Sequence, residues 1–209
     1  MAQGGCKCSR CGAALEVEIP QGVNVERNPE LKDKIKDGSL FLRECPYCGT
    51  VNLVRGEMLY HDPEAKLMVW LLPEGAVDEG RIRAVESQLE PLEGYILRRV
   101  ADEGSLIEKV NIFDAGLDDR VMELCKYITR MELGEKGEEL GTEPMRFFRM
   151  DGADGILTLV YPKDGKMHGA EIGFNVYEDC RGILQRNPAV TAAPGFAVVD
   201  EGWVRRFFR

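Results

Sequence analysis

Two turns of the same chemistry, Cys8-Ser9-Arg10-Cys11-Gly12 and Cys45-Pro46-Tyr47-Cys48-Gly49, constrain this chain more than any other feature. Each sets two thiols at Cys-x-x-Cys spacing, which lets one tight turn aim both sulfurs at a single ion. The glycine after the second cysteine can take the positive φ that swings backbone N–H groups towards the thiolates. Two such turns supply four ligands, Cys8, Cys11, Cys45 and Cys48, and predict a closed, tetrahedral, all-cysteine site of the zinc-ribbon kind holding Zn2+. The rival is a mononuclear iron site of the rubredoxin kind, whose turns look much the same. Such sites pack aromatic side chains between the turns, whereas residues 12–44 offer only Phe41, so zinc is the expected metal. Four thiolates leave no coordination position for water; a structural ion is expected, with no catalytic residue assigned.

At 209 residues the chain exceeds a small single domain, and one large or two modest domains are the prior. Seven cysteines, an odd number with four in metal spacing, argue against a disulfide framework and for a reducing, cytoplasmic setting. No apolar run approaches the roughly 20 residues that span a bilayer, and the first residues lack the basic-then-apolar order of a secretory signal. No membrane association is therefore expected. The formal charge is −9, with 17 acidic against 9 basic residues over 76–145. Nonspecific nucleic-acid binding needs cationic surface and is disfavoured. Arg10, Arg43 and Arg55, near the cysteine turns, are the only support for a ribbon that touches nucleic acid or transcription machinery.

The pattern along the chain is α+β, in three parts: a β-rich zinc ribbon with a helical insertion (1–75), a mainly helical middle (76–143), and a small antiparallel sheet with C-terminal helices (144–209). Leu15, Val17 and Ile19 alternate with glutamates as a half-buried strand, and Val23 and Val25 suggest another. Asn28-Pro29-Glu30 opens a short helix that Asp37-Gly38 closes. Lys66–Leu72 reads as a buried strand stopped by Pro73. Ile82, Val85 and Leu89 recur at helical spacing until Pro91, Tyr95–Val100 reads as a strand, and Ser105-Leu106-Ile107-Glu108 is a capping box for a helix to about Phe113. The clearest helix carries the stripe Leu117, Val121, Leu124, Ile128 and Met131, with Asp118 and Asp119 at its N-terminal end. Asp151-Gly152, Asp154-Gly155 and Asp164-Gly165 separate three strands of a meander. Val176, Cys180, Ile183 and Leu184 suggest a further helix, Phe196–Val199 a short strand, and Trp203–Phe208 a terminal helix docking on the meander.

Other chemistry-bearing residues fit bland roles. Cys6, two residues before the first ligand, invites ligand exchange or a reactive thiol. Cys125 and Cys180 sit on apolar helical stripes and read as core. His61 and Asp62, or Asp118 with Asp119, would serve an enzyme working from a cleft, but adjacent helical residues point some 100° apart and the pair is better explained by helix-start electrostatics. His168 falls in an expected hairpin turn, and Asp151–Gly155 lacks the ligand alternation of a calcium loop. No phosphate loop, nucleophile elbow, zincin helix or dinucleotide fingerprint occurs.

Cys45-Pro46-Tyr47-Cys48-Gly49, Asn28-Pro29-Glu30-Leu31 with Gly38-Ser39-Leu40-Phe41, Leu59-Tyr60-His61-Asp62, and Gly116-Leu117-Asp118-Asp119-Arg120 resemble stretches of the CpXC family of bacterial and archaeal proteins, named for paired Cys-Pro-x-Cys motifs and without an assigned function. The resemblance covers about residues 6–130, and the first motif departs from it with Ser9 in place of proline, which is not a ligand. It implies Cys8, Cys11, Cys45 and Cys48 as metal ligands and nothing catalytic. The expectation is a noncatalytic zinc protein whose remainder makes a protein-interaction, regulatory or self-association surface.

Overall fold

The computed structural model describes residues 2–73, 75–76, 78–89, 93–152 and 155–208. Glu74 and Val77 of the expected first boundary, Pro91, and the Ala153-Asp154 part of the meander's first turn lie outside the described residues. The chain is α+β and divides into two compact units, Met1–Ile107 with Gly195–Ala197, and Glu108–Pro194 with Val198–Arg209.

The first unit opens with two small hairpins and a sheet. Strand β1 (Ala2–Lys7), for which the sequence shows no pattern, pairs antiparallel with β2 (Ala14–Ile19), and β2 buries Leu15, Val17 and Ile19 as its alternation requires. After β3 (Gly22–Asn24) comes α1 (Pro29–Lys36), with Pro29 at its first position; Asn28 precedes it but makes no side-chain cap hydrogen bond. The helix ends at Gly38, whose φ of 78° favours glycine. A short 3-10 turn over Ser39–Phe41 buries Leu40 and Phe41 and leads into β4 (Leu42–Glu44), which pairs with β5 (Val51–Leu53) across the second cysteine turn.

Strands β6 (Met58–Asp62), β7 (Leu67–Leu71) and β8 (Ile96–Val100) complete a mixed sheet of order β3-β6-β7-β8, in which only β6 and β7 are antiparallel. All five residues of β7 are buried, which is why its sequence is a continuous apolar run rather than an alternation. Helix α2 (Glu79–Leu89) places Ile82 against Met68, Trp70 and Leu72, and the chain returns at 195–197 to add Phe196 edge-on to Trp70, ring centroids 5.1 Å apart. That return makes a single bridge, Ala197 with Arg98, and not the short strand expected over Phe196–Val199.

Helix α3 (Glu103–Asp114) starts two residues before the expected capping box. Asp102 does the capping, accepting from the Ser105 backbone N–H at 2.9 Å and the Ser105 hydroxyl at 2.8 Å. Aspartate is as good an acceptor at this position as serine, and it leaves Glu108 free for the interior. Helix α4 (Asp119–Glu135) begins as its stripe predicts, with Asp118 accepting from the Arg120 N–H, and buries Leu117, Val121 and Leu124; Met131 stands exposed. The second unit continues with the meander β9 (Arg146–Asp151), β10 (Ile156–Lys163) and β11 (Lys166–Gly173), in the order β11-β10-β9. The turn between β10 and β11 is only Asp164-Gly165, both at positive φ (51° and 71°), so His168 lies within β11, opposite Tyr161 and stacked on it, instead of in a turn. Helix α5 (Phe174–Arg186) buries Tyr177 and Cys180. The terminal helix α6 (Glu201–Val204) is shorter than expected and packs against α4, with buried Trp203 donating to the Thr191 carbonyl at 3.1 Å. No described helix is long and apolar enough to cross a membrane.

Candidate metal centre

The two cysteine turns are near copies in backbone as well as in sequence. Cys8 N–H bonds the Ala13 carbonyl at 2.8 Å and Gly12 N–H bonds the Cys8 carbonyl at 2.9 Å; Cys45 with Thr50 and Gly49 with Cys45 repeat this at 2.9 Å and 2.9 Å. Gly12 and Gly49 take φ of 73° and 68°, as the turn demands. Each turn ends one hairpin, β1–β2 or β4–β5, and folding brings the four sulfurs of Cys8, Cys11, Cys45 and Cys48 within 4.8 Å of one another. Cys8 and Cys45 are buried, Cys48 is half-buried and Cys11 is exposed.

The spacing tests whether a metal fits. Metal–sulfur bonds of about 2.3 Å arranged tetrahedrally require sulfurs about 3.8 Å apart. Cys8 Sγ lies 3.6 Å from Cys48 Sγ, and Cys11 Sγ lies 3.7 Å from Cys45 Sγ. These distances suit shared coordination and are far too long for disulfide bonds. The group can hold one metal ion. Cys6, half-buried on β1 opposite Leu15, is not part of it.

The thiols are electrostatically unequal. Backbone N–H groups of Cys11 and Arg10 hold the Cys8 thiol down at about 6. Cys11 moves the other way: the Ala13 N–H draws it down, but desolvation and the thiols of Cys48, Cys45 and Cys8 push it up to about 12. Thr50, through its hydroxyl and then its N–H, lowers Cys48. Cys8 and Cys48 thus ionise more readily while Cys11 resists, because charge crowds a small volume. A divalent cation removes that conflict.

Asn52 is the supporting residue that the sequence does not reveal. It is buried on β5, donates to Cys8 Sγ at 3.7 Å and to the Thr50 carbonyl at 2.8 Å, and accepts from Ser9 N–H at 2.8 Å and Ser9 Oγ at 3.0 Å. It therefore links the first turn to the second hairpin. The only signal was a polar residue between Val51 and Leu53, which alternation alone explains.

The family model of the CpXC protein matches residues 6–126. The chain belongs to the CpXC family. No curated protein and no solved structure matches it. The CpXC match contains both cysteine turns and the sheet that follows them.

Other residues singled out in this CpXC chain have structural partners. In the first unit Asp62 is buried, meeting Lys32 at 3.2 Å, Tyr60 Oη at 3.3 Å and Ala65 N–H at 3.1 Å. Burial opposes its ionisation, but those donors hold its carboxyl below the usual range. His61 is clasped by Asn24 at 3.4 Å and Tyr95 Oη at 3.2 Å, and burial lowers its pKa, partly offset by Asp62 and Glu26. Arg43 donates to the carbonyls of Leu40, Leu42 and Glu18, bracing the second hairpin on β2. In the second unit Asp118 caps α4 and pairs with Arg120 at 2.6 Å, while Asp119 is buried against Lys109 at 2.9 Å. The adjacent aspartates thus have separate tasks. Cys125 and Cys180 are buried, and the Cys180 thiol together with burial pushes the Cys125 thiol up.

A second polar cluster escaped the sequence reading. Glu108, Lys109, Asp119, Glu123 and Lys126 are all buried. Lys109 reaches Asp119 at 2.9 Å, Glu123 at 3.3 Å and the Val199 carbonyl at 2.7 Å. Lys126 reaches Glu108 at 2.7 Å and Glu123 at 2.9 Å, and Glu108 also accepts from Phe147 N–H at 2.7 Å. Burial disfavours the charge on Lys109, yet Asp119 and Glu123 more than compensate and its pKa is raised; burial pushes Glu123 up as well.

Proposed function

We propose that this protein is a noncatalytic, cytoplasmic zinc-binding protein in which Cys8, Cys11, Cys45 and Cys48 hold one structural Zn2+, and that the ribbon so folded presents a surface for another protein. The observation that carries the reading is the four-sulfur group at tetrahedral spacing, built from two turns of matching backbone. Four protein ligands complete a zinc shell and leave no place for reacting water. Iron would fit the same sulfur spacing; the ligand type and the single aromatic between the turns favour zinc. The structural ties of His61, Asp62, Asp118 and Asp119 give an enzyme reading no cluster to work with. A nucleic-acid ribbon loses one of its three supporting arginines, since Arg43 is spent on backbone carbonyls.

Metal analysis of untagged protein tests the reading. One zinc per chain is expected, falling towards zero in Cys45→Ser and Cys48→Ser. Full zinc in both variants, or a red protein that bleaches on reduction, overturns it.

A further inference from the structure

The ribbon carries a surface that the metal does not explain. Ten large apolar side chains are exposed among the described residues, and four of them, Leu42, Tyr47, Val51 and Leu53, fall within residues 42–53. The β4–β5 register sets Leu42 opposite Leu53, Arg43 opposite Asn52, and Glu44 opposite Val51. Side chains alternate along a strand, so Leu42, Glu44, Val51 and Leu53 share one face and Arg43 and Asn52 the other. Asn52 reaches Cys8 Sγ, so that second face looks inward to the thiols and the apolar face looks away from them. Leu42, Val51 and Leu53 are 44%, 57% and 50% exposed, and Tyr47, 76% exposed, stands at the turn joining the strands. An apolar cluster on a short hairpin loses water contact when a partner covers it, and such clusters mark interaction sites.

Charge selects the occupant. Glu44 lies on the same face, exposed, and among the described residues no cation pairs with it. A second copy packed face to face by a two-fold axis would carry two Glu44 carboxylates and no cation of this face into one small apolar interface, and charges taken out of water without a partner are costly. Nucleic acid and anionic lipid meet the same carboxylate repulsion. A protein segment that brings aliphatic side chains and one cation satisfies every group on the face.

We propose that the outer face of the β4–β5 hairpin, Leu42, Val51 and Leu53 with Glu44 beside them, is a docking site for a segment of another protein presenting aliphatic side chains next to a lysine or arginine. This rests on the reading of the ribbon as a zinc-held interaction module. The test is to pan a phage-displayed random peptide library on the full-length, metal-loaded protein, measuring its zinc content and oligomeric state on the same samples. Enriched peptides should be aliphatic with a Lys or Arg, and synthetic versions should bind at least tenfold more weakly to Leu53→Glu and to Leu42→Ser, both at exposed positions. Glu44→Lys should switch the enriched charge to acidic. Peptides that bind Leu53→Glu and Leu42→Ser as well as the natural chain, a basic preference that survives Glu44→Lys, no enrichment at all, or a dimer that Leu53→Glu dissolves each overturn the proposal. Zinc at one per chain with any of these results condemns the surface alone; protein without zinc condemns the metal reading whatever the peptides do.

Discussion

In the first unit the polar problem of the interior is met by sulfur: four thiols in two adjoining pairs, 3.6 and 3.7 Å apart, on the two cysteine turns. In the second unit it is met by charge: three carboxylates and two ammonium groups, all buried, linking α3, α4 and β9 through contacts of 2.7–3.3 Å. The two solutions differ in what they require from outside. The thiol group is suited to a cation from outside, since Cys8 ionises readily while desolvation and the other three thiols push Cys11 up. The ion network carries its counter-charges in the chain and is complete once folded, although each buried charge demands that its partners stay in place.

The strongest way to break that comparison is to deny the thiol group the metal proposed for it. Chelation, or Cys45→Ser, should unfold the ribbon while amides of β9, β10 and β11 keep their protection, read by hydrogen exchange. Equal loss of protection in both units would show that the thiol group supports more than its own unit. Next in size, Glu123→Ala removes the carboxylate that Lys109 and Lys126 share, leaving each with one carboxylate, Asp119 and Glu108, and should cost the second unit about 1–3 kcal/mol in denaturant unfolding, with zinc stoichiometry unchanged. Asp118→Ala removes the cap of α4 and should cost about 1 kcal/mol, again without metal loss.

The smallest effect concerns pH and the first unit. Burial lowers the His61 pKa below its unfolded value of about 6.5. As pH falls, the unfolded chain takes that proton first, so the stability due to neutral His61 is present above about 6.5 and declines as pH drops towards the folded value. Urea midpoints measured across that interval should slope downward with acid, and His61→Gln should flatten the slope. An unchanged slope in the variant assigns the titration elsewhere.

The legible parts of the fold were those written in short repeats. Alternation gave β2, an unbroken apolar run gave β7, the Leu117–Leu124 stripe gave the buried half of α4, and Asp164-Gly165 gave the tight β10–β11 turn. Illegible parts depended on neighbours distant in the chain. Strand β1 has no pattern of its own and exists through pairing with β2. Ser105 looked like a cap because Glu108 sits three residues later, yet Asp102 wins the position and Glu108 turns to Lys126, eighteen residues away. His168 looked like turn chemistry until the register extended β11 past it.

The sequence by itself determined the two thiol pairs, because ligand spacing within a turn is a local property: Cys-x-x-Cys-Gly aims two sulfurs whatever surrounds it. Only the tertiary structure decided that the two turns meet, that Asn52 braces them, that Lys109 and Lys126 are buried with their carboxylates, and that Leu42, Val51 and Leu53 face outward together. Burial and partnership are relations between segments. A period-two or period-3.6 pattern says which face is apolar, but not what, if anything, comes to cover it.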